Sequence, residues 1–401
     1  MPSTSDSVRP AMREGWRRFR LEELCDISKG SHPLEKTKPG TYPLVGTAEA
    51  WRTSETFDFE GQVICIPLVS STGHGDASLK RLHFAEGKVA AATIVGAAVV
   101  RDPGMVEGRF LHHFLSVNKD RLIVSLMQGT ANMSLKVADL ANVPVDLPPL
   151  PEQRRIVDLI GAVDAQIEAA DAVSRRAEMT YRSVASAVFA SAENTLSLGD
   201  FCEVVIGVQR SPKRTSAPTQ TPYVRAANVK DGRLDLSEVL TMHFSSKEIE
   251  RYRLHKGDVL VTEGCGSLRQ LGASAEWPEE TPCPICIQNT VLRMRAKPGV
   301  SHARYLAHYC RFLHAGGGWA RVASGSSIFH IGAERARSIP VPSPSLKDQA
   351  RISRELDGIE SLHVAAKREA DLLHRVRAGL LRDLLSGAHE IPTSYDRLLA
   401  A

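Results

Sequence analysis

The segment GTANMSLKVADLANVPVDLPPLPEQRRI, starting at Gly129, and the segment GSSIFHIGAERARSIPVPSPSLKDQARI, starting at Gly325, are two wordings of one pattern set 196 residues apart. Each runs from a glycine through a Val/Ile-Pro-Val strand end and a proline-rich turn to Gln and Arg-Ile entering a helix. A second pair, LEELCDISKG from Leu21 and LGDFCEVVIG from Leu198, recurs at an offset of 177. A chain written twice is expected to fold twice. The two offsets differ by nineteen residues, which places an insertion inside the second unit's globular part.

The stretch after each proline-rich turn is repeated as well. Ile156, Ile160, Val163, Ile167, Ala170, Ser174, Ala177, Tyr181, Val184 and Val188 step by four and three alternately. Ile352, Leu356, Ile359, His363, Ala366, Ala370, Leu373, Arg377, Leu380 and Leu384 do the same, each 196 later. That spacing over about five heptads is a coiled-coil seam. A helix of some 38 residues is roughly 57 Å long. Pro144, Pro148, Pro149 and Pro151 punctuate the first start, and Pro340, Pro342 and Pro344 the second. The simplest partner for each seam is the other, and pseudo-twofold symmetry favours an antiparallel pair. His363 and Arg377 interrupt the second seam. The expectation is that they sit at its edge, with Leu362 and Val376 taking over the core.

The globular parts carry short alternating runs such as GQVICIPLV, KVAAATIVGAAVV, GDVLVTE and ICIQNTVLRMR, bounded by Gly, Pro, Ser and Thr. The expected fold class is therefore α+β: two β-rich domains in tandem pseudo-repeat, separated by two long helices that form an antiparallel coiled coil. At 401 residues the chain has room for two domains. A net charge of +4 permits nucleic acid without demanding it. Seven scattered cysteines suggest a reducing, cytoplasmic setting. No apolar run approaches the ~20 residues of a membrane span, so no membrane partner is expected.

Catalytic signatures fail one by one. Asp146-Leu-Pro-Pro-Leu lacks the aromatic residue that stacks a flipped base. Pro282-Cys283-Pro284-Ile285-Cys286 matches half of a zinc deaminase motif, but no H-x-E precedes it. Two small thiols at a strand entry are the plainer reading. Asp76 with Glu86-Gly-Lys88 fits a metal nuclease only loosely, and the second unit has no counterpart. No phosphate loop and no S-adenosylmethionine motif is found. Catalytic residues, metal and cofactors are all expected to be none.

The duplicated Pro-turn and helix, PLPPLPEQRRIVDLI (Pro148–Ile160) and PSPSLKDQARISREL (Pro342–Leu356), resemble the specificity (S) subunit of Type I restriction–modification systems. YVRAANVKDGRLD (from Tyr223), HKGDVLVTEGCGS (from His255) and CIQNTVLRMR (from Cys286) are similar to the body of a target-recognition domain of that family. FEGQVICIPLVSSTGHG (from Phe59) holds the like place in the first unit. Ser343, Lys347 and Asp348 depart from the usual wording, where Pro, Pro and Glu are expected. The resemblance divides the chain into a flexible N-terminus (1–15), a first target-recognition domain (16–150), a first spacer helix (151–191), a second domain (196–346), a second spacer helix (347–387) and a tail (388–401). It implies a DNA-recognition subunit without catalysis of its own. The partners it implies are double-stranded DNA with a split site, two methyltransferase (M) subunits, and a restriction (R) motor-nuclease subunit in systems that have one.

DNA reading takes hydrogen-bonding side chains at base edges and cations on phosphates. The candidates in the first unit are Lys29, His32, Thr47, Arg52, Thr72, His74, Lys80, Arg81, Asn132 and Ser134. In the second they are Arg225, Asn228, Lys230, Arg233, Arg269, Gln270, Gln288 and Asn289, with Ser326, Ser327 and His330 before the second helix. Two other readings remain open on the residues alone: a self-sufficient enzyme such as a divergent nuclease, and a coiled-coil adaptor that binds only protein. No helix-turn-helix pattern supports a repressor.

Overall fold

A computed structural model describes residues 13–72, 75–130, 132–190 and 194–396. The chain forms two compact units, one of Met1–Ala169 with Glu369–Ala401 and the other of Ala170–Arg368. Two long helices, Leu150–Ala190 and Leu346–Leu385, contribute part of their length to each unit.

The first unit is built on one six-stranded sheet. Its order is Cys25–Lys29, Val95–Val100, Phe59–Pro67, His83–Ala91, Tyr42–Val45 and Arg52–Ser54. The helix Gly108–Val117 lays Phe110, Leu111, Phe114 and Leu115 on one face of that sheet, against Ile64, Ile66 and Ala98. Val63, Cys65, Ala97 and Val89 fill a separate core on the other face, as period-two alternation dictates.

In the second unit the corresponding sheet is broken in two. Cys202–Ile206, Val291–Ala296, Val259–Thr262 and Ser274–Glu276 make one sheet, and Leu240–Met242, Thr221–Val224 and Cys286–Ile287 make the other. The interruption is the stretch Trp277–Ile285, where Pro278, Pro282 and Pro284 cannot donate to a ladder. Strand registers show where most of the nineteen extra residues went. The offset is 179 at Val45/Val224 and 195 by Ile64/Val259, so sixteen of them lie between, and they carry the short hairpin Val229–Leu234 and the helix Ser246–Tyr252.

Within each unit the long helices run antiparallel. In the first, Ile156 and Ile160 share a core with Leu381, Leu384 and Leu385. In the second, Tyr181, Ala185 and Phe189 share one with Ile352 and Leu356. The expectation for the polar seam positions is corrected. Leu362 and Val376 are 53% and 44% exposed and do not enter the core. His363 and Arg377 stay in the seam because each meets a polar residue across it. The Ser174 hydroxyl and carbonyl lie 3.1 and 3.0 Å from His363 Nδ1. Arg377 makes a two-pronged ion pair with Asp164, its Nη2 donating at 3.0 Å. At the end of the first seam, Ala185 and Phe189 are buried, while Val184 and Val188 pack at the margin.

The recurring glutamine has a structural task in both units. Gln153 is fully buried, donates to the carbonyls of Met105 and Pro148 and accepts the N–H of Glu107, which caps the Gly108–Val117 helix. Gln349 repeats this with Val300, Pro344 and His302, the cap of Ala303–Ala315. One side chain thus satisfies both chain ends that meet at the start of each long helix. The recurring glycine is steric: a Cβ on Gly30 would lie 2.4 Å from the Ala91 carbonyl oxygen, and one on Gly207 2.3 Å from that of Ile287.

Candidate nucleic-acid interface

Each unit carries an open depression lined in part by polar side chains, and the two occupy equivalent places. In the first, Thr47 and Ala48 follow the strand Tyr42–Val45, while Val69, Ser70 and Ser71 follow Phe59–Pro67. With Glu49, Lys80 and Arg81 they enclose about 370 Å³. In the second, Ala226 and Ala227 follow Thr221–Val224, and Cys265, Arg269 and Gln270 follow Val259–Thr262. With Lys230, Asp231 and His314 they enclose about 570 Å³. Loops at the same strand ends, on a rigid sheet, are where a recognition surface is most readily varied.

The groups differ in freedom. In the second depression the side chains of Lys230, Arg269 and Gln270 make no hydrogen bond or ion pair among the described residues. The Thr262 hydroxyl at the floor is buried and unpartnered. In the first, Arg81 is held by Glu49 at 2.7 Å, and that hydrogen bond keeps the Glu49 carboxyl below its usual range. Ser70, Thr72 and Ser78 bond among themselves, and Lys80 projects into solvent.

Other sequence candidates divide into exposed groups and groups spent on the fold. Lys29, Arg233, Asn132, Ser134, Ser326 and Ser327 are exposed. His32 is structural: its ring nitrogens sit 2.8 Å from Asp58 and 3.0 Å from Thr56. Burial works against the Asp58 charge, but hydrogen bonds from Ser31, the Ala91 N–H and His32 hold its pKa below the usual value. Asn228 is buried, accepting the Arg225 N–H and donating to the carbonyls of Asp235 and Glu238, which leaves nothing for a base. Arg225 pairs with Glu238, and Arg52 donates to the Leu34 carbonyl at 2.7 Å. Gln288 accepts from Thr290, and the Asn289 backbone donates to Val208. His330 is about half exposed and lies 3.0 Å from the buried Glu263. His74 lies outside the described residues. Sequence reasoning missed Thr262 and the two glutamines; the glutamines were signalled by recurring at the same offset, while Thr262 had no signal at all.

A second pair of equivalent places lies where each domain helix meets the long helices. In the second unit this corner is fully wired. Arg304 donates to Asp357 at 2.5 Å and to Glu360 at 2.5 Å, and Arg311 pairs with Glu360. His308, with no exposed surface, lies 2.9 Å from Asp357 through Nε2 and 2.8 Å from the Tyr181 hydroxyl through Nδ1. Burial, reinforced by Arg304, outweighs Asp357 and pushes the His308 pKa down to about 4. His308, Asp357 and Glu360 have the donor types of a metal site, but both carboxylates are already met by arginine. In the first unit the matching positions hold Arg109, His113, Ser116, Gly161, Asp164 and Arg377. There the corner stays open as a cavity of about 430 Å³.

The scaffold is thus a repeated α+β arrangement with a depression at the same strand ends in each copy. Residues 13–174 match the family model for the Type I restriction modification DNA specificity domain. The chain is 25% identical over 194 residues to the specificity subunit of the type I restriction enzyme EcoKI from Escherichia coli K12. That match spans 43% of this chain and 41% of the relative. It is 20% identical over 358 residues, 85% of this chain and 87% of the relative, to a putative type I restriction enzyme specificity subunit from Haemophilus influenzae. In fold it is similar to a Type I restriction–modification S subunit from M. genitalium, with a TM-score of 0.62 and 16% identity over 94% of this chain and 97% of the other. A chain from a study of complex assembly and conformational transition in the type I R-M system matches with a TM-score of 0.57 and 17% identity, covering 94% of this chain and 99% of that one. The resemblance read from the sequence is supported by that family model over residues 13–174, and the fold is shared with both solved structures. No helix among the described residues is long and apolar enough to cross a membrane.

Proposed function

We propose that the chain reads a bipartite DNA site, one half through each domain, and brings partner methyltransferase subunits, and a restriction subunit where one exists, to that site. The domains would be residues 16–150 and 196–346, with the long helices setting the spacer between half-sites. The observation that carries this reading is the recurrence, at the same strand ends in both units, of a depression edged by hydrogen-bonding side chains. Arg269, Gln270 and Lys230 supply free donors suited to guanine, adenine and phosphate. Thr47, Lys80 and Arg81 are their counterparts, and the exposed Lys29, Arg233, Asn132, Ser134, Ser326 and Ser327 fit backbone contacts. The assembly in which a structural neighbour was studied supports the partner assignment.

Mapping of methylated adenines in the source genome, with and without this gene, tests the proposal. Loss of one two-part motif is the expected result; an unchanged methylation pattern overturns it. Removing one heptad from both helices should change the spacer length accepted while leaving both half-sites the same, and an unaltered spacer defeats the ruler role.

A further inference from the structure

Three residues of the second unit's corner have counterparts in the first that leave a hole of definite chemistry. Arg304 and His308 both bind the carboxylate of Asp357. Their counterparts Arg109 and His113 are retained, but Gly161 stands in place of Asp357. A Cβ on Gly161 would meet nothing within 4 Å. Asp164, the counterpart of Glu360, is held by Arg377, so Arg109 receives neither carboxylate of the pattern. The guanidinium of Arg109 rests instead over the Phe84 ring at 5.0 Å, with the exposed Glu86 at 3.3 Å.

The cavity has an unmet donor of its own. His83 is more than nine-tenths buried, and its Nδ1 accepts from the Trp51 indole N–H at 3.3 Å. The proton of the neutral ring therefore sits on Nε2, a buried atom with no hydrogen-bond partner, on a side chain that borders the cavity. A buried donor left unpaired is costly, and a ligand acceptor would recover that cost. His113 likewise makes no hydrogen bond among the described residues, while His112 Nε2 lies 3.2 Å from the Leu82 carbonyl. Burial, joined by Arg377 and Arg109, lowers the pKa values of both these histidines, so the walls are neutral donors beside two cations. Arg377 is paired with Asp164 and Arg109 lies beside Glu86, so what would hold an incoming carboxylate is the unmet donors rather than net charge.

We propose that this corner of the first unit is a carboxylate-binding site, in which an incoming carboxylate takes the place that Asp357 fills in the second unit, between Arg109, His113 and the Nε2–H of His83. Trp51, 38% exposed at the cavity wall, reports on occupancy. The carboxylate comes either from a small free acid or from an Asp or Glu side chain of a partner subunit. This inference is independent of how DNA is read.

The test titrates the full chain with sodium acetate at constant ionic strength, following histidine ring resonances and tryptophan fluorescence. Saturable shifts of the His83 and His113 rings are expected, and Gly161→Asp, which supplies the carboxylate from within, should abolish them while raising the melting temperature. An acetate response that does not saturate, or one that Gly161→Asp leaves intact, overturns the site. Assembly with the methyltransferase subunit separates the two sources. A tenfold or greater weakening by Gly161→Asp assigns a partner's side chain, and unchanged assembly beside the acetate response assigns a free acid.

Discussion

The helix–domain corner of the second unit and that of the first descend from one pattern, yet they solve opposite problems. In the second, Arg304 and Arg311 are ion-paired with Asp357 and Glu360, His308 is hydrogen-bonded to Tyr181, and Arg311 Nε lies 3.5 Å from Asp231. In the first, Gly161 and Ser116 remove a carboxylate and a guanidinium, Arg377 stands where Tyr181 would be, and the freed space is bordered by His113, which makes no hydrogen bond among the described residues, and by His83, whose Nε2 has no partner. Both corners hang from the same glutamine pin. Duplication therefore preserved the joint and let its filling diverge, because the pin is bonded to backbone and the filling only to side chains.

The pins are the strictest test of that equivalence. Gln153→Ala and Gln349→Ala should each destabilise their own unit by about 3–4 kcal/mol, since three buried hydrogen bonds go and backbone groups are left unpaired. Calorimetry should show two similar losses; a large loss in one unit alone would break the parallel. Acid comes next. His308 titrates near 6.5 when unfolded and near 4 when folded, so between those values the unfolded chain binds more protons. The second unit's stability is whole above pH 6.5 and falls by about 3 kcal/mol as pH drops to 4. Denaturant midpoints should show this slope, and His308→Gln should flatten it.

The depressions allow a functional contrast of smaller size. Arg269→Ala should relax specificity at one base position by about 1–3 kcal/mol, because its guanidinium is free, whereas Arg81→Ala should matter less, its charge being shared with Glu49. Equal weakening on every sequence would mark Arg269 as a phosphate contact instead. The smallest effect sharpens the corner comparison: Gly161→Ala should stabilise by about 0.5–1 kcal/mol, as expected of a helix-interior glycine with room for a Cβ. Asp357→Ala, at the matching position, should destabilise. Matching signs in a thermal melt would show the two places to be filled alike.

Much of the fold is legible in the sequence, and the failures are instructive. The two long helices are written in a three-four spacing that only a buried seam imposes. His363 and Arg377 were misjudged because a polar seam residue is costly or harmless according to what faces it, and Ser174 and Asp164 face them only through a fold that brings residues about 190 and 210 apart together. Asn228 and His32 looked like base readers because side-chain type alone does not reveal that every donor and acceptor is already used by groups nearby.

By itself the sequence determined that there would be two units, that each would join a β-rich body to a long amphipathic helix, and that no recognisable catalytic motif was present. Periodicity and duplication are local or self-referential signals, and need no knowledge of what packs on what. Only the tertiary structure decided which polar groups are spent and which are free, as with Thr262, Arg269 and His83. Hydrogen-bond satisfaction depends on distant neighbours within about 3 Å, and such contacts are fixed by the fold.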